Sequence, residues 1–162
     1  MTRPQLALYR SIATIACCLM LANCAHDTYQ ERANLIKSHA EAFYDNLKTN
    51  RVESAIRSNE QIEAMASEMG DTVRKRASQQ GATSVEREFA LMNTANEAAV
   101  ANWLALGQYF TIKRQYSQAR TTYRRVIDTY TNAADRPYRE QALRALKDLD
   151  MLNPTTSTTT TP

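Results

Sequence analysis

The chain has 162 residues, which suffices for one domain with a modest hydrophobic core. Only three glycines and four prolines, among many Ala, Glu, Gln and Arg residues, favour an all-helical chain. The formal net charge is +3, but the residues after Cys24 hold 18 basic and 17 acidic side chains, so that part of the chain is close to neutral. This balance gives no electrostatic case for a nucleic-acid partner.

Residues 1–23 have the composition of a signal peptide. Arg3 and Arg10 make the start basic, and the apolar run over residues 12–22 is shorter than the roughly 20 residues of a membrane span. The run ends in Leu-Ala-Asn-Cys at residues 21–24, which resembles the lipobox of bacterial lipoproteins. The resemblance implies that Cys24 is acylated and that residues 24–27 form a lipidated N-terminus. The alternative is a plain signal peptide with an incidental cysteine.

The cysteine count agrees with lipidation. Cys17 and Cys18 lie in the apolar run, so Cys24 is the last cysteine and the mature chain forms no intrachain disulfide. Ala25, rather than Asp, follows Cys24. By resemblance to enterobacterial lipoproteins, this predicts a bacterial envelope protein that is lipid-anchored in the outer membrane and faces the periplasm.

Residues 28–152 are predicted to form an all-α domain of about five helices, arranged as antiparallel hairpins. Residues 48–50 read as a turn between the first two helices. Asn59 interrupts the apolar seam of the second helix, and Gly70 is predicted to end that helix before a short continuation to Gln80. Apolar residues repeat at heptad spacing along the first helix: Tyr29, Ala33, Ile36, Ala40, Phe43 and Leu47.

A third helix is predicted to follow Gly81, with a capping box formed by Thr83 and Glu86. It is expected to be about 45 Å long. Folding the second and third helices back about residue 81 places Asn59 level with Trp103. We therefore expect the Asn59 side chain to meet the indole N–H. The predicted seam of this helix is interrupted at Asn96 and otherwise apolar: Val85, Phe89, Met92, Ala99, Trp103, Leu106 and Phe110.

Six residues at fixed spacing carry the clearest motif: Trp103, Leu106, Gly107, Phe110, Ala119 and Tyr123. Their order resembles a tetratricopeptide repeat, a helix–turn–helix unit, over about residues 100–133. A glycine inside a helix costs about 1 kcal/mol relative to alanine, so we expect Gly107 to lie where a second helix approaches closely. The alternative is an ordinary amphipathic hairpin, because Thr131 stands where the family usually has proline. Residues 52–56 faintly echo residues 116–120, which leaves open a degenerate earlier repeat over residues 28–70.

A last helix is predicted over about residues 136–152, with Asp135 as its N-cap and Pro137 in its first turn. In repeat proteins such a terminal helix covers the exposed face of the final unit, so we interpret it as a capping helix. The Thr-rich residues 153–162 offer no apolar side chains for a core and are predicted to be a disordered tail.

The sequence contains no recognisable catalytic or metal-binding pattern. His26 and His39 are isolated, the serines lack a glycine-flanked elbow, and no glycine-rich phosphate loop is present. We therefore predict a protein that is not an enzyme and that uses no metal, cofactor or small-molecule substrate.

Residues 111–150 hold nine basic and five acidic side chains. This excess is read either as a solvated helix face or as a basic groove for an acidic partner. A partner helix or extended peptide is expected along the face formed by the third and fifth helices. The candidate partner contacts are Asn102, Gln108, Tyr109, Arg120 and Arg124.

Two functions are consistent with this sequence. The first is a membrane-anchored adaptor that binds a protein partner in an envelope machine, such as a secretion system, a pilus, a conjugation apparatus or an outer-membrane assembly complex. The second is a structural or exclusion lipoprotein with no dedicated partner groove. The first is favoured by analogy with lipoproteins that carry such repeats.

Overall fold

The computed structural model describes residues 28–80 and 85–152. The predicted signal peptide, Cys24, Thr83 of the predicted capping box and the Thr-rich tail lie outside these residues. The described part of the chain has five α-helices, so the prediction of an all-α fold built from helical hairpins is confirmed. The helices are α1 (residues 28–48), α2 (Val52–Gln80), α3 (Glu86–Ile112), α4 (Tyr116–Thr129) and α5 (Arg136–Leu152), with a 3₁₀ turn at Ala133–Asp135.

Apolar seams join these helices into one core. Each helix packs on the next from α2 to α5, and α5 also contacts α3. The heptad residues of α1 lie in or against this core, as predicted: Ile36, Phe43 and Leu47 are buried, and Tyr29, Ala33 and Ala40 are partly buried.

The predicted end of the second helix at Gly70 is wrong, because α2 runs unbroken over 29 residues to Gln80. A Cβ on Gly70 would lie 3.4 Å from the Met92 Sδ of α3, so this residue sits on the face of α2 that packs against α3. Glycine weakens a helix by about 1 kcal/mol relative to alanine. Packing along a long helix outweighs a penalty of that size.

The first half of the predicted α3 seam holds only in part: Val85 is buried and Met92 packs against the core, but Phe89 does not. Phe89, expected in the core, is 49% exposed, whereas Leu91 and Ala95 are buried. The predicted seam followed the largest side chains, but α3 turns a smaller residue, Ala95, toward its neighbours at this level. From Ala99 onward every predicted seam residue is buried, and Asn102 and Leu104 are buried beside them.

Two turns of the bundle share one geometry. Asn50, between α1 and α2, and Arg114, between α3 and α4, both have left-handed backbone conformations, with φ of 58° and 57°. Asparagine adopts this conformation more readily than other non-glycine residues. The backbone hydrogen bonds of the two turns also correspond, at an offset of 64 residues. In the first turn Asn50 N donates to Leu47 O at 3.0 Å and Arg51 N to Asn46 O at 2.8 Å; in the second, Arg114 N donates to Thr111 O at 3.0 Å and Gln115 N to Phe110 O at 2.8 Å.

The same offset relates Ala55 of α2 to Ala119 of α4, and both are fully buried. The faint echo between residues 52–56 and 116–120 therefore has a structural counterpart. In both the α1–α2 and the α3–α4 hairpin, the second helix starts after a turn of the same backbone geometry. Each hairpin is then followed by a helix that packs on its second helix, α3 on α2 and α5 on α4.

Candidate functional site

The α3–α4 contact is built around Gly107. A Cβ on this residue would lie 2.5 Å from Cε1 of Tyr123, a distance that real Cβ atoms do not tolerate, so only glycine lets the tyrosine ring pack flat against α3. The expected close approach is therefore present. All six residues of the motif are buried, and they support the hairpin by packing: Trp103, Leu106, Gly107, Phe110, Ala119 and Tyr123.

Glu63 of α2 joins three parts of the fold. Its Oε1 accepts hydrogen bonds from Trp103 Nε1 and from the Tyr130 hydroxyl, each at 2.7 Å. Its Oε2 accepts from Arg125 Nη2 at 2.8 Å, and the Arg125 guanidinium lies 4.0 Å from the centre of the Trp103 ring. The carboxylate thus ties α2 to α3, to α4 and to the residue that ends α4.

Burial raises the pKa of Tyr130 well above its ordinary value, and the Glu63 carboxylate raises it further. The hydroxyl therefore stays protonated and donates to Glu63 throughout the physiological range. An O–H donor to a carboxylate forms a strong, charge-assisted hydrogen bond.

The expected contact between Asn59 and the indole is wrong by about one helical turn. The Asn59 side chain is fully buried, donates to the Ala99 carbonyl at 3.1 Å and accepts from Asn102 Nδ2 at 2.9 Å. The indole instead bonds to Glu63, four residues further along α2. A carboxylate is a stronger acceptor than an amide oxygen, and Asn102 satisfies the amide of Asn59.

Glu63 was not singled out from the sequence. One signal was present: Glu63 lies four residues after Asn59, so both project from one face of α2 toward α3. Two polar residues at this spacing beside an apolar seam indicate buried polar contacts. Here Asn59 bonds to Ala99 and Asn102, while Glu63 bonds to Trp103, Arg125 and Tyr130.

Two of the five predicted partner contacts are wrong. Asn102 is 2% exposed and bonds to Asn59, so its side chain belongs to the core. Arg120 is 9% exposed, and its Nη2 bonds to Asp150 Oδ1 at 2.8 Å and to the Leu149 carbonyl at 3.3 Å. Both side chains are used to hold neighbouring helices together.

The other three predicted contacts differ in their exposure to solvent. Gln108 and Arg124 are exposed on α3 and α4. Tyr109 is half-buried, its hydroxyl bonds to Asn50 Oδ1, and Lys113 Nζ lies 5.6 Å from its ring centre.

Several other basic side chains of the predicted basic groove are engaged within the fold. Arg125 pairs with Glu63, and Arg136 pairs with Glu140 at 2.8 Å. Arg139 of α5 reaches back to the end of α4 and donates to the carbonyls of Tyr130 and Asn132, at 2.8 and 2.9 Å.

One groove of the described residues lies between α2 and α4, with α3 as its floor. The partner face expected along α3 and α5 stays a prediction. The α2 side presents Glu53 and the half-buried Val52 and Ile56. Its floor is apolar, and the Glu63–Arg125 pair crosses it at one end. The α3 floor and the α4 side are formed by Trp103, Leu106, Phe110, Ser117, Gln118, Thr121, Thr122 and Arg125.

A second, more polar cleft lies on the far side of Glu63, between α2, α3 and the segment that joins α4 to α5. On its α2 wall the small residues Ala66, Ser67 and Gly70 lie between Glu63 and Arg74, and Asn96 of α3 faces it. Asn96, which interrupts the apolar seam of α3, therefore borders a cleft. A polar side chain is tolerated at this position because the cleft is open to solvent.

Within residues 28–80 and 85–152, no cluster of three or more His, Cys, Asp or Glu side chains is arranged to hold a metal ion. None of the helices described has the length and apolarity needed to cross a membrane. Comparison of the chain with protein-family models, with curated proteins and with solved structures finds no match.

Proposed function

We propose that this protein is a membrane-anchored adaptor that binds a protein partner in a bacterial envelope machine, such as a secretion system, a pilus, a conjugation apparatus or an outer-membrane assembly complex. The anchor rests on the lipobox-like residues 21–24. The single observation that carries partner binding is the groove between α2 and α4.

The groove has the chemistry of a protein-binding surface. Val52 and Ile56 leave apolar side-chain surface accessible on one wall, and the exposed Ser117, Gln118 and Thr121 supply hydrogen-bonding groups on the other. Protein interfaces combine an apolar centre with a polar rim in this way. Stacked helical hairpins also bind partners through the surfaces that they form together.

A photo-crosslinking amino acid placed at Thr121 tests the proposal in cells that express the full chain. Thr121 is exposed and lines the groove, so we expect irradiation to give one discrete adduct larger than the 18.3 kDa chain. The matched control is the same amino acid at Arg144, an exposed residue of α5 that does not line the groove. The control is expected to give no discrete adduct.

The outcome also separates the proposed function from the structural or exclusion alternative. That alternative requires a chain that reaches the envelope but gives no discrete adduct from either position. Labelled palmitate incorporated into the wild type, and lost in Cys24→Ala, tests the anchor independently of the groove. Absence of label from the wild type would remove the membrane part of the proposal.

A further inference from the structure

We infer that the α2–α4 groove receives an extended segment of a partner protein, with apolar side chains toward Val52 and Ile56 and a Lys or Arg side chain beside Glu53. This inference rests on the proposed function and specifies the partner segment. Three features of the groove support it: its charges, the free donors of Arg125 and the chemistry of the α4 wall.

The accessible charge of the groove is negative at one end. Glu53 and Arg125 are the two charged residues that line it. Arg125 is neutralised by Glu63, whereas Glu53 is exposed and is in none of the ion pairs found among the described residues. A basic side chain on the partner complements Glu53, and a like charge there is disfavoured.

At the other end, Arg125 has hydrogen-bonding capacity to spare. A guanidinium has five N–H donors, and Arg125 donates from Nη2 to Glu63. The side chain as a whole is 40% exposed, but its Nε is buried, so a partner carbonyl would meet the Nη groups rather than Nε. Because Glu63 already supplies the counter-charge, the fitting partner group is a neutral carbonyl oxygen rather than a second carboxylate.

Free backbone carbonyls are a property of extended segments, since a helix uses its own except in the last turn. The α4 wall agrees with this choice. Ser117, Gln118 and Thr121 are exposed, uncharged and able to bond to peptide N–H and C=O groups. An extended segment also directs alternate side chains to opposite sides, so that every second residue faces Val52 and Ile56.

The span of the groove fixes the length of the motif. Ten residues of α2 separate Glu53 from Glu63, the level of Arg125, which corresponds to about 15 Å of helix. An extended chain covers that distance in four or five residues, at about 3.3 Å each. The partner segment therefore has its basic residue four or five positions from the carbonyl that meets Arg125.

A random peptide library panned on the detergent-purified full chain tests the inference. We expect enrichment of peptides with one Lys or Arg next to alternating apolar residues, and at least a tenfold loss of affinity for them in Glu53→Lys. Panning on Glu53→Lys is expected to select Asp or Glu at the same position. Glu60→Lys is the control, because Glu60 is exposed on the same helix but does not line the groove; its affinity should equal that of the wild type.

Three results would overturn the inference: binders with apolar residues at helical spacing, affinity unchanged in Glu53→Lys, or a Thr121 adduct of twice the chain mass, which would identify a second copy as the occupant. Glu53→Gln, which removes the charge without reversing it, is expected to give an intermediate loss. Thermal unfolding of each variant shows whether it is folded. A heterologous Thr121 adduct together with an unaffected Glu53→Lys would leave the proposed function standing while this inference fails.

Discussion

Among the residues that the structure describes, two glycines lie inside helices, and their surroundings differ. Gly107 of α3 faces the ring of Tyr123, and an added Cβ would come within 2.5 Å of it. Gly70 of α2 faces Met92 and Arg74 side-chain atoms, and an added Cβ would meet them at 3.4 and 3.7 Å, which is ordinary contact. The first glycine is required by a neighbour, and the second is not.

The difference extends to the two halves of α3. Its C-terminal half packs among α2, α4 and α5, with Trp103 bonded to Glu63 and the Tyr123 ring close to Gly107. Its N-terminal half meets α2 through Met92 beside a polar cleft. A glycine inside a helix therefore indicates close helix packing only where a large side chain lies opposite it. Substitutions in the two halves of α3 should accordingly have different effects on stability.

The largest effect is expected for Glu63→Ala, which removes the centre of the C-terminal half. Trp103 and Tyr130 lose their acceptor, and Arg125 loses its counter-charge. Breaking a fully buried pair costs about 3–5 kcal/mol; this pair is 23% and 40% exposed, so we expect roughly 2–4 kcal/mol. Urea unfolding monitored by Trp103 fluorescence measures the loss. Glu60→Ala, one exposed residue of the same helix, should lie within about 0.5 kcal/mol of the wild type.

Gly107→Ala is expected to destabilise the fold by about 1–3 kcal/mol, because the new methyl group overlaps the Tyr123 ring and that ring is buried. The same measurement in a Tyr123→Leu background checks the cause. Without the ring, alanine should cost much less than it does in the wild type. An equal cost in both backgrounds would mean that the tyrosine is not the reason for this glycine.

Tyr130→Phe is expected to cost about 1 kcal/mol at neutral pH, through loss of the hydrogen bond to Glu63. It should also change the alkaline limb of the stability curve. The tyrosine ionises near pH 10 in the unfolded chain, whereas its raised pKa keeps it protonated in the folded one. The unfolded state then binds fewer protons above pH 10, so the free energy of unfolding falls as the pH rises.

Urea titrations at pH 8, 10 and 11 compare the two proteins. The wild type should lose more stability than Tyr130→Phe between pH 10 and 11, so that the curves converge. Parallel curves over this interval would show that ionisation of Tyr130 does not couple to folding.

The smallest effect, and the one of opposite sign, is expected for Gly70→Ala. Its methyl group meets no atom closer than ordinary contact, and alanine is favoured over glycine inside a helix by about 1 kcal/mol. We therefore expect a small gain in the free energy of unfolding. A loss larger than that for Gly107→Ala would reverse the comparison on which the two predictions depend.

The sequence predicted the parts of this fold that depend on periodicity. The seam of α1, the α3–α4 hairpin and the last helix follow from apolar residues at regular spacing, which needs no knowledge of the neighbouring helix. It failed at Gly70 and Phe89. There the outcome depends on which residues lie opposite, and those come from distant parts of the chain.

The candidate site was harder to predict, because its side chains are defined by pairing across helices. Asn102 and Arg120 are polar and lie on the predicted repeat, so they were read as surface contacts; their partners Asn59 and Asp150 lie 43 and 30 residues away along the chain. Glu63 was overlooked because its hydrogen-bond partners also come from distant parts of the chain. Its four-residue spacing from Asn59 was the available signal, and its three donors come from α3, α4 and the residue after α4.

The contacts of Arg120 and Arg139 have a consequence for how the molecule opens. Arg120, near the start of α4, forms an ion pair with Asp150 near the end of α5. Arg139, near the start of α5, donates hydrogen bonds to the carbonyls of Tyr130 and Asn132, which follow α4. Because these contacts link the two helices at both of their ends, we expect fraying of one helix to be coupled to fraying of the other. Amide hydrogens in α4 and α5 should therefore exchange as one cooperative unit, and a protease that enters the bundle here would release both helices in a single event.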